Sequence, residues 1–181
     1  AERYNLNDTL ETKDDLAALF EVLDSVKGGY KSKAVFTPVC IVANPDFERI
    51  EKSGFSEYYY EPFTDTLKRY EGCEDSFALW TEGISHGLFI PQMHGREHLN
   101  VIAWMTDLKN GERKAHLAFS ERLTGIVPTQ YPMVDYQAAF LLEDPSEINL
   151  HKKVIVEGLG LFEKIFGYRA EYFVPPNGPF N

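Results

Sequence analysis

The strongest constraint on this chain is an alternation: helix signals, each followed by a short apolar run that ends in turn residues. The first helix opens at Thr12-Lys13-Asp14-Asp15, a capping box with aspartate in the glutamate position. Leu16, Leu19, Phe20, Leu23 and Val26 follow at helical spacing, and Gly28-Gly29 closes the segment. The next run, Ala34 to Ala43, is nearly continuous in apolar residues and rich in β-branched ones, as in strands buried within a parallel sheet. Pro38 inside it predicts a bulge, an edge or an early strand end. Asn44-Pro45 then has the form of an N-cap and first residue of a short helix.

Two further units repeat the theme. A helix starting at Asp75 and carrying Phe77, Trp80 and Ile84 leads to a strand-like run, Gly87 to Met93. That run ends in His94-Gly95-Arg96-Glu97-His98, and Leu99, Ile102, Ala103 and Leu108 predict another helix behind it. The last unit begins at Asp144-Pro145-Ser146-Glu147, an N-cap, an N1 proline and an N3 glutamate. Its helix runs to Gly167, and Ala170 to Val174 predicts a strand ending at Pro175-Pro176-Asn177-Gly178. Strands alternating with helices imply a mainly parallel α/β sheet or barrel. In such folds ligands collect at the carboxyl ends of strands. The polar segments after Ala43, Met93 and Val174 all fall there.

Composition narrows the partners. The 181 residues, 44% hydrophobic, suffice for one compact domain spanning 1–181. With 18 Lys+Arg against 28 Asp+Glu the formal charge is −10, which disfavours nucleic acid and anionic membrane surfaces. No apolar run approaches the roughly 20 residues of a membrane helix. Ala1-Glu2-Arg3-Tyr4-Asn5 shows no signal peptide, so a cytoplasmic location is expected. Cys40 and Cys73 form no disulfide framework, which fits a reducing compartment.

His94 and His98 are the candidate metal ligands. Four residues apart at a strand's end, two neutral imidazoles suit zinc or a neighbouring divalent metal. If His98 lies in the first turn of the following helix, the helix dipole disfavours its protonation. The same spacing also arises in histidines that cap, hydrogen-bond or face water. His86 is expected near a helix end, and His116 and His151 are expected to be solvated. His94-x-x-Glu97-His98 also fits the pattern of HxxEH metallopeptidases, with Glu97 as general base, but that mechanism needs the motif inside a helix. Pro91 and Gly95 argue against one here.

Across most of its length the chain resembles the polysaccharide deacetylase-like proteins of the glycoside hydrolase/deacetylase barrel superfamily. The resemblance is carried by Ala34-Val35-Phe36-Thr37, Val42-Ala43-Asn44-Pro45-Asp46-Phe47 and Met93-His94-Gly95-Arg96-Glu97-His98-Leu99-Asn100. It continues in Glu157-Gly158, Leu161-Phe162-Glu163-Lys164-Ile165-Phe166-Gly167-Tyr168 and Phe173-Val174-Pro175-Pro176-Asn177-Gly178. It implies parallel strands alternating with helices as part of a (β/α) barrel, with His94 and His98 binding the metal. It also implies that a strand-end loop at Val174-Pro175-Pro176-Asn177-Gly178 lines the substrate groove. Gly95 stands where the family has a hydroxyl residue, and Val174 and Asn177 stand where it has Arg and Tyr. The family's paired aspartates belong before Thr12 and its late motifs after Asn181, so this chain is expected to be the middle portion of a larger barrel and inactive alone.

The activity so implied is metal-dependent removal of acyl groups, chiefly acetyl, from a carbohydrate. The ion, expected to be zinc with cobalt, nickel or manganese as substitutes, supplies an activated water. Asn177 and Asn44 are the candidate substrate-binding residues, although Asn177 beside Gly178 is also an ordinary turn residue. The different class to weigh is a non-catalytic carbohydrate-binding or structural barrel.

Overall fold

The computed structural model describes residues 10–26, 33–128, 135–142 and 144–177. Among these the fold is mixed α/β, with seven α-helices and four short strands. The strands pair two by two, one pair parallel and one antiparallel, and no closed barrel is formed among the described residues. None of the described helices is long and apolar enough to cross a membrane. Two compact units divide the chain.

One unit comprises the described residues up to Pro38 together with Phe63–Pro91. Helix α1 (Lys13–Ser25) starts at the predicted capping box: the Thr12 hydroxyl accepts from Asp15 N, and the Asp15 carboxylate accepts from Thr12 N. Its buried residues are Leu16 and Phe20, while Val26 at the end of the predicted stripe is exposed. The closing glycines, Gly28-Gly29, lie outside the described residues.

The second long element of this unit, the helix Ser76–Ser85, meets α1 where Gly83 leaves room for Phe20: a Cβ on Gly83 would lie 2.4 Å from Phe20 Cζ. Phe20 and Trp80 both set their rings edge-on to Phe89, with centroids 5.7 and 5.0 Å away. Trp80 Nε1 donates to Glu11 at 2.9 Å.

The other unit comprises Val39–Pro62 and the described residues from Gln92 onward. Strand β1 (Val39–Ile41) runs parallel to β4 (Gln92–Gly95), and Met93 of β4 also bridges in parallel to Phe173. The expected long strand over Ala34–Ala43 is therefore short. Pro38, which has no N–H for a ladder, lies between Phe36, which bridges in parallel to Phe89, and the paired residues of β1.

Asn44-Pro45 does not begin a helix. Ala43–Pro45 forms β2, antiparallel to β3 (Tyr60–Pro62). The cap falls two residues later, where the Asp46 carboxylate accepts from Arg49 N at 3.0 Å and starts α2 (Phe47–Lys52). An N-cap needs a side-chain acceptor and an extended backbone; Asp46 offers an ionised one, and Pro45 is accommodated in the hairpin opposite Tyr60.

Behind β4, Asn100 caps the helix Val101–Lys109, and Arg113–Ser120 follows. Trp104, Leu108, Phe119, Tyr136 and Ile50 make the larger core of this unit. The long helix α7 (Ile148–Phe166) is entered through the predicted Asp144–Glu147 capping box and leaves through Gly167 at φ 77°. Its inner face buries Phe162 against Val42 and Met93. Gly158 is where α7 comes closest to β4, since a Cβ there would lie 2.6 Å from Met93 Cε and 3.1 Å from Arg96 N.

Candidate metal centre

The site is built by an irregularity in β4. Cys40 pairs with Met93, but the next residue, Ile41, pairs with Gly95, so His94 is an extra residue in the ladder. A bulge of this kind bends the strand and re-aims the side chain that it carries. Beyond it, Val42 N and Ala43 N both donate to Arg96 O, at 3.1 and 2.7 Å, which fixes the exit of the loop.

Gly95 permits the turn. A Cβ there would lie 3.1 Å from the Glu97 carbonyl and 3.3 Å from Pro176 Cγ. The hydroxyl residue implied by the resemblance would therefore need Pro176 and the Glu97 carbonyl to give by a few tenths of an ångström.

His94 is held from behind. Its Nδ1 lies 2.7 Å from the Val174 carbonyl, an acceptor only, so Nδ1 carries the proton and donates. The lone pair then sits on Nε2, the arrangement that a metal-ligating histidine requires. His98 is half-buried, and its Nδ1 is buried without a hydrogen-bond partner. Burial holds the His98 imidazole below its ordinary range, and a charge on His94 would push the same way. The Asp135 charge and the carbonyls of His98 and Gln137 oppose that drop. The helix behind begins at Val101, after the Asn100 cap, so the dipole reason expected from the sequence is replaced by burial.

The two rings are 5.1 Å apart between centroids. Two imidazoles sharing one tetrahedral ion at about 2.0–2.1 Å from each nitrogen have centroids roughly 5.2 Å apart. The pair thus has the spacing, the tautomer at His94 and the unsatisfied nitrogen at His98 that a divalent cation needs. Among the described residues no group of three or more His, Cys, Asp or Glu converges to hold an ion.

The residues between the histidines are occupied elsewhere. Arg96 and Glu97, 4% and 1% exposed, form a bidentate pair, Nε to Oε2 at 2.6 Å and Nη2 to Oε1 at 2.5 Å. Arg96 Nη1 also bonds to Glu157 of α7, and the guanidinium lies 4.3 Å above the Tyr60 ring. Both Glu97 oxygens therefore face Arg96, and the motif runs from strand through loop rather than along a helix. The base-on-helix arrangement of an HxxEH peptidase is not formed.

The two candidate substrate residues have different partners. Asn177, exposed and at φ 55°, donates from Nδ2 to Asp135 Oδ1 at 3.0 Å. It therefore belongs to the same end of β4 as His94, through Val174. Asn44 sits on the β2–β3 hairpin opposite Glu61.

Two histidines expected to be solvated pack against the protein, one buried and one half-buried. His151 is buried on α7, and His116 turns its Nε2 to the Leu108 carbonyl at 2.9 Å and its ring edge to Phe55. In both helices the histidine falls on the apolar stripe, which its polar neighbours conceal in the sequence. Asp135 is not marked by any local pattern in the sequence that links it to a strand end, and its connection is made by the tertiary hydrogen bond from Asn177.

Comparison with known proteins finds no matching family, no matching curated protein and no matching solved structure.

Proposed function

We propose that this chain carries the metal centre of a hydrolase that removes acyl groups, acetyl in the first instance, from a carbohydrate. In this proposal its parallel strands are part of a (β/α) barrel of the polysaccharide deacetylase type. The observation that carries the reading is the paired imidazoles at the bulged end of β4, His94 with Nδ1 given to Val174 and His98 with an unpartnered buried nitrogen.

A divalent ion bound there, zinc by the chemistry of two nitrogen donors, supplies Lewis acidity for an acyl carbonyl and its attacking water. The chain's own residues prepare the place. His94 presents Nε2 in a fixed orientation, and His98 stays neutral because it is half-buried. The Arg96–Glu97–Glu157 cluster locks the loop between them against α7. In the proposal Asn177 and Asn44 contact the sugar.

The test is acetate release from an acetylated chito-oligosaccharide by the protein that carries this chain, with zinc, cobalt or nickel added. Turnover that needs metal and is lost in His94→Ala supports the proposal. Metal-independent turnover, or turnover indifferent to His94→Ala, refutes it. A second reading is favoured by one feature: Val174 contributes only its backbone where the resemblance implies an arginine side chain. That reading is a carbohydrate-binding barrel without catalysis, and oligosaccharide binding with no acetate release would select it.

A further inference from the structure

Among the described residues no carboxylate converges with the two imidazoles as a ligand. Two neutral imidazoles leave a divalent charge uncompensated, and outer-sphere partners ordinarily help to correct this. Two hydrogen bonds hold one carboxylate, that of Asp135, beside the turn that follows Val174. Asn177 Nδ2 donates to Asp135 Oδ1 at 3.0 Å, and Gln137 N donates to the same oxygen at 2.9 Å. Neither bond uses Oδ2. Asn177 lies three residues after Val174, whose carbonyl holds His94 Nδ1 at 2.7 Å.

From the other side, Asn100 N donates to Tyr136 O at 2.6 Å, and Asn100 Nδ2 donates to Leu141 O at 3.1 Å. The residue two after His98 is thereby stitched to the residue next to Asp135. Asp135 is thus clamped between the loop that orients one histidine and the segment that carries the other.

Asn177 suits the clamp for a backbone reason as well. At φ 55° it occupies the left-handed region, which asparagine tolerates better than most residues, so its amide points from a turn rather than from a strand.

We propose that Asp135, held by Asn177, is the outer-sphere carboxylate of the His94–His98 site, balancing the ion's charge through an intervening water. This rests on the metal-binding reading above. Because the three groups do not converge as a ligand set, Asp135 is a positioning residue.

Zinc titration by calorimetry at neutral pH tests it, on the unmodified protein and three variants. Asp135→Asn keeps Oδ1 as the acceptor for both clamp bonds and removes only the charge, so thermal unfolding should be unchanged. Its zinc affinity is expected to fall about 10- to 100-fold, the usual effect of losing an outer-sphere partner. Asn177→Gly keeps the backbone conformation and removes the clamp; its affinity should fall less than that of Asp135→Asn. His94→Ala should abolish binding. Asp135→Asn binding like the unmodified protein, with His94→Ala still inert, would overturn the role of Asp135 and leave the metal site standing. No zinc binding by the unmodified protein would overturn both.

Discussion

Helix α7 offers an internal comparison that measures how tightly it fixes the metal-site loop. Two of its glycines, Gly158 and Gly160, differ only in what faces them. A Cβ on Gly160 would meet nothing within 4 Å. A Cβ on Gly158 would lie 2.6 Å from Met93 Cε, 3.0 Å from Arg96 Cβ and 3.1 Å from Arg96 N. Met93 Cε ends a flexible side chain and can swing aside. The Arg96 atoms cannot, because Arg96 is tied to Glu97, to Glu157 and, through its carbonyl, to Val42 and Ala43.

Ordinary carbon contacts begin at about 3.5 Å, so α7 or the loop must retreat by roughly half an ångström. Both substitutions to alanine gain about 1 kcal/mol of helix propensity. Gly160→Ala should keep that gain. Gly158→Ala should also suffer an overpacking cost of about 1–3 kcal/mol. The difference between the two variants isolates that cost, and corresponds to about 2–10 °C in melting temperature for a chain of this size. Urea and thermal unfolding of both variants measure it. Equal stabilisation by the two alanines would mean that α7 does not press on the Arg96 loop, and the account of how the loop is held would be wrong.

Two further outcomes follow from the buried groups. Glu97→Gln should destabilise the protein by about 3 kcal/mol, at the low end for a broken buried ion pair because Glu157 remains on Arg96. Zinc affinity should be unchanged, since both Glu97 oxygens face Arg96; loss of metal binding in a folded Glu97→Gln protein would return Glu97 to the site. His98 and His151 are both held below the ordinary imidazole range, primarily by burial. The unfolded chain then binds protons more readily than the fold does, so their stabilising effect is full above pH of about 6.5 and fades as the pH falls below it. Melting temperature should drop from pH 7.5 to 5, and drop less in His151→Leu; a flat profile over that window would contradict the burial argument.

The helices were legible in the sequence because their signals are local. Thr12 with Asp15, Asp144 with Glu147 and Gly167 at the end of α7 each act within one turn of the chain. The strands were less so. Apolar runs such as Ala34–Ala43 predict burial, yet Val35, Phe36 and Val39 are exposed, and the run does not state how much of it finds a ladder partner on either side of Pro38.

His94 and His98 could be singled out from their spacing at a strand's end. What makes them a site was not visible: the bulge that turns His94, the Val174 carbonyl that fixes its tautomer, and the long-range bonds from Asn177 to Asp135 and from Asn100 to the next residue, Tyr136. The Arg96–Glu97 pair shows the converse. Adjacent in sequence inside a metallopeptidase-like motif, they neutralise each other and face α7.

The central claim is that His94 and His98 bind one ion. Crystals of the protein grown with zinc, with anomalous data collected above and below the zinc absorption edge, test it most directly. The account predicts a single edge-dependent peak at about 2.0–2.1 Å from His94 Nε2 and from one His98 ring nitrogen, lost in His94→Ala. A difference map with no peak between the two rings, or a peak that survives His94→Ala unchanged, would contradict it.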